Sequence, residues 1–379
     1  MMKLEILQEN LLKGLSMVGR VITSKPQMPV LANILLETDN GRLKLSATDL
    51  EISITTLIGV KILKEGKYTI PAKTFAELVG SLPPGKVEME LEEGQLAITA
   101  GRFKAKVNGV PAQEWPLKAM EGKKTAGWKL EIAAEEFIVG VACTSFAAAA
   151  DEGRPVLTGI LFKLTDSGLT MVATDGFRLS VKKLAAVKAE GKGEETRSFI
   201  IPVKALQEVA RILSENKELK ILKINLTENS ADFDLGDTQL SARLIEGLYP
   251  AYEKIIPGAP VIKARVGREE LASGIRTAGV FARDSANIVK FVLNKSQFLV
   301  KAVAAQVGEN ESEIDAKIEG IEEELAIAFN FHYLLDLLNC AGKSEELTLG
   351  FSGPLAAGMF KISDDQSFLH IIMPVRVQS

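Results

Sequence analysis

The sequence predicts an α+β protein of three tandem repeats, each with two helices packed on antiparallel sheets. Three observations predict it. Leu45–Ile54 reads LSATDLEISI and Met171–Val181 reads MVATDGFRLSV, and the shared Asp49 and Asp175 lie 126 residues apart in a chain of 379. That period is far too long for a solenoid and points to duplicated domains, for which the length leaves room three times. Next, Leu11–Leu15, Phe137–Val141 and Leu271–Ile275 share one pattern: apolar residue, two variable residues, glycine, apolar residue. Finally, the expected starts of three further helices, Pro71, Pro202 and Asn330, are spaced by 131 and 128 residues.

In the first repeat, Leu11, Leu15, Val18 and Ile22 form one helical stripe over Gln8–Ile22. A Pro-bounded turn over 24–29 leads to strands at Asn33–Thr38, Leu43–Ala47, Glu51–Ile58 and Tyr68–Ile70. A second helix opens at Pro71, a favoured first-turn proline, and ends at Leu82. Strands Val87–Leu91, Leu96–Ala100 and Arg102–Asn108 close the repeat. The second repeat follows the same plan. Its first helix is Ala133–Ala149 and its turn Asp151–Pro155. Strands follow at Val156–Leu164, Gly168–Ala173, Arg178–Leu184 and Phe199–Ile201, then a helix from Pro202 through Leu213 and strands to Leu244. The third has a helix at Arg268–Ala282, strands from Ile288 and a helix at Asn330–Cys340. Links near Gly122-Lys123-Lys124 and Ile256-Pro257-Gly258 set the repeats at 1–124, 125–256 and 257–379. A mid-helix glycine costs about 1 kcal/mol relative to alanine. Gly14, Gly140 and Gly274 at matched positions therefore predict close packing against a neighbouring backbone.

Composition narrows the function classes. With 46% hydrophobic and 25% charged residues the chain is an ordinary soluble globular protein. A net charge of −4 disfavours a uniformly basic nucleic-acid binder, but not one with charges sorted onto faces. Cys143 and Cys340, far apart in sequence, read as reduced core residues of a cytoplasmic protein. No secretion signal, membrane-spanning run or metal-ligand spacing is visible.

The search for catalytic chemistry returns little. Gly80–Lys86 matches a phosphate-loop pattern, but Val87 stands where Ser or Thr should be and two prolines remove donors. It reads as a helix-to-strand turn. Asp49 and Asp175 read as turn residues bonding their own backbone rather than as paired carboxylates. His332 and His370 read as structural. No catalytic residue, metal or cofactor is expected. A better pattern is basic: Lys13, Arg20, Lys25, Arg154, Arg268, Arg276 and Arg283 on or after the first helices, and Lys73, Lys204 and Arg211 on the second. If the repeats are arranged equivalently, these line one surface that meets phosphates without reading bases. The middle repeat is the weak case, its first helix carrying no Lys or Arg before Arg154.

Ala173–Ser180 (ATDGFRLS), the Pro-opened second helices, the threefold repeat and the tail Ile371–Arg376 (IIMPVR) together resemble the bacterial replicative sliding clamp family, the β subunit of DNA polymerase III. The resemblance covers essentially the whole chain. It implies a DNA-clamp fold in a head-to-tail homodimeric ring, with helices lining a hole through which duplex DNA slides. The DNA-facing residues would be Lys13, Arg20, Lys25, Lys73, Arg154, Lys204, Arg211, Arg276 and Arg283. The implied partners are the DNA polymerase III alpha subunit, the clamp-loader delta subunit and other proteins with clamp-binding peptides; no membrane is involved. The peptide pocket, between the second and third domains, would use Leu157, Thr174, Gly176, Phe177, Arg178, Leu179, Pro250, Lys254 and Ile255. The last strand would add Ile371, Ile372, Met373, Pro374, Val375 and Arg376. In it Arg178 and Arg376 would hold peptide carbonyls or acidic side chains. Phe177 stands where many relatives have His, Lys254 where Arg is common, and the tail runs on to Gln378-Ser379. The dimer contact would set Leu82 and Phe103 against Ile275 and Val280, with Lys73 near Glu309, Glu311 and Glu313. Two other readings are an enzyme using Asp49, Asp175 or the Gly80–Lys86 loop, and a monomeric repeat scaffold that binds proteins alone.

Overall fold

The computed structural model describes residues 2–23, 25–116, 127–151, 153–191, 197–342 and 344–376. The link at Gly122-Lys123-Lys124 and the tail Gln378-Ser379 lie outside them. Six α-helices stand among the described residues: α1 (Gln8–Val18), α2 (Ala72–Ser81), α3 (Ala134–Thr144), α4 (Val203–Glu215), α5 (Arg268–Ala282) and α6 (Phe331–Cys340). They form two compact units. One contains residues up to Ile132 with segments 189–192 and 211–244; the other contains 133–188, 193–210 and 245–379.

The first unit holds two sheets. In the five-stranded sheet the order is Lys61–Lys64, Lys3–Leu7, Lys86–Glu92, Gln95–Ala100, Phe103–Asn108. In the nine-stranded sheet, five strands end at Thr238–Arg243, which pairs with Ile52–Gly59, the first of four more. That junction is antiparallel, with Leu240 opposite Ile54. The second unit repeats the scheme. Its nine-stranded sheet joins Arg178–Leu184 to Asp365–Ile372, with Arg178 opposite Ile372. Its four-stranded sheet runs Gly308–Ile314, Phe298–Ala304, Ile288–Leu293, Leu325–Asn330. Each nine-stranded sheet is thus a four-strand piece joined edge to edge to a five-strand piece. One five-strand piece and one four-strand piece are left unjoined.

Period-2 patterning builds these sheets: in Ile52–Gly59 (ISITTLIG), Ile52, Ile54 and Thr56 are buried and their neighbours are more exposed. Lys3–Leu7 and Lys61–Lys64 are strands that the apolar pattern does not announce. Partners distant in sequence hold them, Lys3 with Glu90 at 2.6 Å and Glu5 with Lys61 at 3.3 Å. Pro71 and Pro202 do not open helices. Each ends an edge strand, Lys67–Pro71 and Arg197–Pro202, and its helix begins at the next residue. At a sheet edge the missing N–H costs no ladder bond. The expected strand start at Val156 is a 3-10 turn, Pro155–Thr158, and the strand begins at Gly159.

The three helix glycines do mark close packing, but against sheet side chains rather than backbone. A Cβ at Gly14 would lie 2.7 Å from Leu45 Cδ1, at Gly140 2.7 Å from Met171 Sδ, and at Gly274 2.7 Å from Ile314 Cδ1. Their helices therefore sit low on the sheets, presenting the opposite face outward. No helix among the described residues is long and apolar enough to cross a membrane.

Candidate functional site

The repeated Ala-Thr-Asp step folds into the same turn twice. Asp49 Oδ1 accepts the backbone N–H of Glu51 and Ile52 at 2.9 and 2.7 Å; Asp175 Oδ1 accepts those of Phe177 and Arg178 at 2.9 and 3.0 Å. Thr48 and Thr174 likewise each accept the N–H two residues on and donate to the carbonyl four residues on. These carboxylates are turn caps, as the sequence pattern predicts. The position after the aspartate has positive φ in both copies: +80° at Leu50 and +92° at Gly176. Gly80–Lys86 is a helix-to-strand turn, and Lys86 there pairs with Glu88 and Glu5 rather than pointing into an anion cradle. Among the described residues no three or more His, Cys, Asp or Glu side chains are placed to hold a metal.

The second copy of the turn meets the chain's last strand. Leu179 lies opposite Ile371, and beyond the ladder Met373 N–H donates to Phe177 carbonyl at 2.8 Å. Val375 N–H donates to Ala328 carbonyl at 2.8 Å, fixing the tail further on. GFRL and IIMPVR are therefore side by side, although nearly the whole of the third repeat separates them in sequence. Leu179 and Ile371 join Leu161, Val172, Val181, Ile200 and Tyr252 in one apolar cluster, flanked by Val156, Ile245, Tyr249 and Ile256. Ile372, on the alternate side of the strand, enters the separate core of the third repeat. Leu157 and Thr174 are also buried, and Gly176, Pro250, Lys254, Ile255 and Arg376 are exposed. Phe177 is 60% exposed and Met373 41%, while Pro374 and Val375 are half-buried. The patch thus has a packed apolar floor and a rim of exposed apolar side chains.

Arg178 does not offer a free guanidinium to this patch. Its Nε donates to Asp175 Oδ2 at 3.0 Å and its Nη1 to Asp336 Oδ2 at 2.6 Å, and it stacks 4.3 Å from the Tyr333 ring centroid. It ties the turn to α6. Arg154 Nη2 donates to the Asp175 carbonyl at 3.0 Å, so this residue stands at the same turn. Tyr249 adds a residue that sequence reasoning missed. Its hydroxyl accepts from Thr174 N–H at 3.1 Å and donates to the Val172 carbonyl at 3.4 Å, and burial pushes it above the usual phenol range. Burial, with the Glu253 charge beside it, pushes Tyr252 up to about 12. Three of the chain's four tyrosines, Tyr249, Tyr252 and Tyr333, stand here. Aromatic rings with one polar handle suit a half-wet site, and their clustering was a usable signal.

The basic residues fall on outward helix faces and turns. Lys13, Arg20, Lys25, Lys73, Arg154, Lys204, Arg276 and Arg283 are exposed. Arg211 is half-buried and shares Glu215 with Arg20, at 2.5 and 3.8 Å, so part of that charge is internally balanced. The expected dimer residues divide. Phe103 and Val280 are each 57% exposed, but Ile275 is fully buried in the core of its own repeat and Leu82 is 8% exposed. Ile275 continues the buried stripe of Leu271 and Ala278, and Leu82 that of Phe75 and Val79, so neither presents surface to a second chain.

Three family models cover the chain in order. The N-terminal, central and C-terminal domains of the DNA polymerase III beta subunit match residues 2–120, 131–251 and 253–376. The chain belongs to the bacterial beta sliding clamp family. A beta sliding clamp of Synechocystis sp. is 30% identical, with 99% of this chain and all of that relative covered. The crystal structure of a Pseudomonas aeruginosa clamp with ligand superposes with a TM-score of 0.91 at 26% identity, over the full length of both chains. A Bartonella birtlesii clamp bound to griselimycin gives 0.91 at 29% identity, again over both full chains. The three tandem α+β clamp domains are thereby established, as is sliding-clamp function at the level of the family. In this clamp the four- and five-strand sheet pieces come from different matched domains. The junction Arg178–Leu184 with Asp365–Ile372 joins the central to the C-terminal domain.

Proposed function

We propose that two copies of this chain close head to tail into a ring around duplex DNA. The ring tethers the replicative polymerase for processive synthesis and takes up partner peptides at the Leu179–Ile371 patch. The observation that carries the ring is the pair of unjoined sheet edges. Gly308–Ile314 is the fourth strand of its repeat, as Ile52–Gly59 and Arg178–Leu184 are of theirs. Phe103–Asn108 is the last strand of its repeat, as Thr238–Arg243 and Asp365–Ile372 are. Fourth strand joins last strand at both junctions within the chain. The same pairing between two chains would complete a third nine-stranded sheet, and it would need to occur twice. Exposed Lys104 and Lys106 alternate along one edge, and exposed Glu309, Glu311 and Glu313 along the other. This alternation makes Lys104 and Lys106 better counter-charges than Lys73 for the acidic edge.

In such a ring the exposed Lys13, Lys73, Lys204, Arg276 and Arg283 meet phosphates weakly enough to slide. A topological link needs no tight grip, which accords with the net charge of −4. We place the domains at 1–124, 125–256 and 257–379, the action in the cytoplasm, and no catalysis in the chain itself. The polymerase alpha subunit and the clamp-loader delta subunit are the proposed peptide partners.

After loading, the protein is expected to stay on closed circular DNA and to run off linear DNA with free ends. Equal retention on both would refute topological binding, and a stable monomer in sedimentation would favour the scaffold reading. At the patch, Met373→Ala is expected to weaken a clamp-binding peptide by about 1–3 kcal/mol while leaving the dimer intact. An unchanged peptide affinity by fluorescence anisotropy would remove Met373 from the site.

A further inference from the structure

The chain's two cysteines, 197 residues apart, come together in the fold. Cys143 is buried near the end of α3, and Cys340, half-buried, is the last residue of α6. The two helices pack against each other, and the Cys143 Sγ–H points to the Cys340 carbonyl at 3.8 Å. Both thiols are free, and each is close enough to shift the other's titration. The contact joins the matched central domain, 131–251, to the matched C-terminal domain, 253–376. One turn before Cys340 on the same face of α6, Asp336 holds Arg178, so this helix grips the central domain at two points. Lys182, paired with Asp365, lies close enough for its charge to act on both sulfurs.

We propose that Cys143 and Cys340 are an oxidant-closable pair, which a hydroperoxide converts to an intrachain disulfide stapling α3 to α6. One thiolate attacks a peroxide oxygen and becomes a sulfenic acid, with the other oxygen leaving as water (or as the alcohol of an organic hydroperoxide). The second sulfur then displaces the sulfenic hydroxyl as a further water. Both thiol protons end in the water and alcohol products, and the two electrons lost by the sulfurs reduce the peroxide bond. The neighbouring Cys143 sulfur, together with burial, pushes the Cys340 thiol up, while the Cys340 thiol pulls Cys143 down, so Cys143 is the sulfur that attacks the peroxide and Cys340 the one that resolves the sulfenic acid.

The test treats the reduced full-length chain with excess hydrogen peroxide and maps thiols and disulfides by mass spectrometry without reduction. The expected result is a monomer mass lower by two hydrogens, a Cys143–Cys340 linked peptide, and reversal by dithiothreitol. Closing so long a loop should also raise the thermal midpoint of the oxidised chain. Cys143→Ser and Cys340→Ser, each measured alone, should lose both the mass change and the midpoint shift. Thiols that stay free, that pair between chains, or that go only to sulfinic acid would overturn the proposal. None of these readouts depends on the ring or on the peptide patch.

Discussion

Lys104→Glu combined with Lys106→Glu is expected to dissociate the proposed dimer, raising its dissociation constant ~100-fold or more, because like charges facing each other across a strand pair cost several kcal/mol. Both lysines lie on the exposed face of Phe103–Asn108, at the open edge of the five-stranded sheet. Folding should survive. Lys106 loses only an exposed pair with Glu92 at 3.1 Å, the kind worth less than about 1 kcal/mol. Glu309 and Glu311 lie on the exposed face of the other open edge. A chain that also carries Glu309→Lys and Glu311→Lys reverses both signs and should assemble with itself again. Sedimentation velocity reads both outcomes, and retention on circular DNA should follow the same order. A double variant that sediments like the wild type would sink the edge-to-edge assignment, and so would a quadruple variant that stays monomeric.

The elements that local chemistry determines were legible in the sequence. The stripe of α5 marks a helix over Arg268–Ala282, and the structure has those bounds. The Thr-Asp step marks a backbone-capped turn, and both copies form it. The apolar anchors Leu179 and Ile371 were readable only through resemblance, since nothing local says that residues 178 and 372 will face each other. Arg178 shows the limit better. Its strongest partner, Asp336, is 158 residues away, so a guanidinium that looks available in sequence is already engaged in the fold. Ile275 shows a signal that was present but not used. Its helix buries Leu271, Ile275 and Ala278 on one stripe and exposes Ser273, Arg276, Thr277 and Val280 on the other. An apolar residue on the polar side, Val280, is the candidate for an interface; one on the apolar side is core.

His370 should make the native state lose stability as pH falls from neutrality, before the carboxylates begin to titrate. It lies opposite Ser180 in the junction between Arg178–Leu184 and Asp365–Ile372, with Nδ1 2.7 Å from Ser180 Oγ. Its ring is fully buried among Phe146, Phe360 and Phe368, and Nε2 has no hydrogen-bond partner among the described residues. Protonation would place a charge there with nothing to receive the added N–H. Burial, helped by the Arg178 cation, holds the imidazole at about 3, against 6.5 for an ordinary histidine. With the folded value below the unfolded one, unfolding takes up a proton between those two pH values. Stability is therefore complete above pH 6.5 and falls with decreasing pH towards 3. The slope is about 1.4 kcal/mol per pH unit, or about 2 kcal/mol by pH 5. His370→Phe keeps an aromatic ring among aromatic rings and gives up the Ser180 bond, at a cost of about 1 kcal/mol that does not change with pH. Urea unfolding from neutral pH down to about pH 5 should therefore show a falling midpoint for the wild type and a flatter one for the variant. Parallel curves would mean that the imidazole is charged inside the fold, and the junction would then need an acceptor at Nε2.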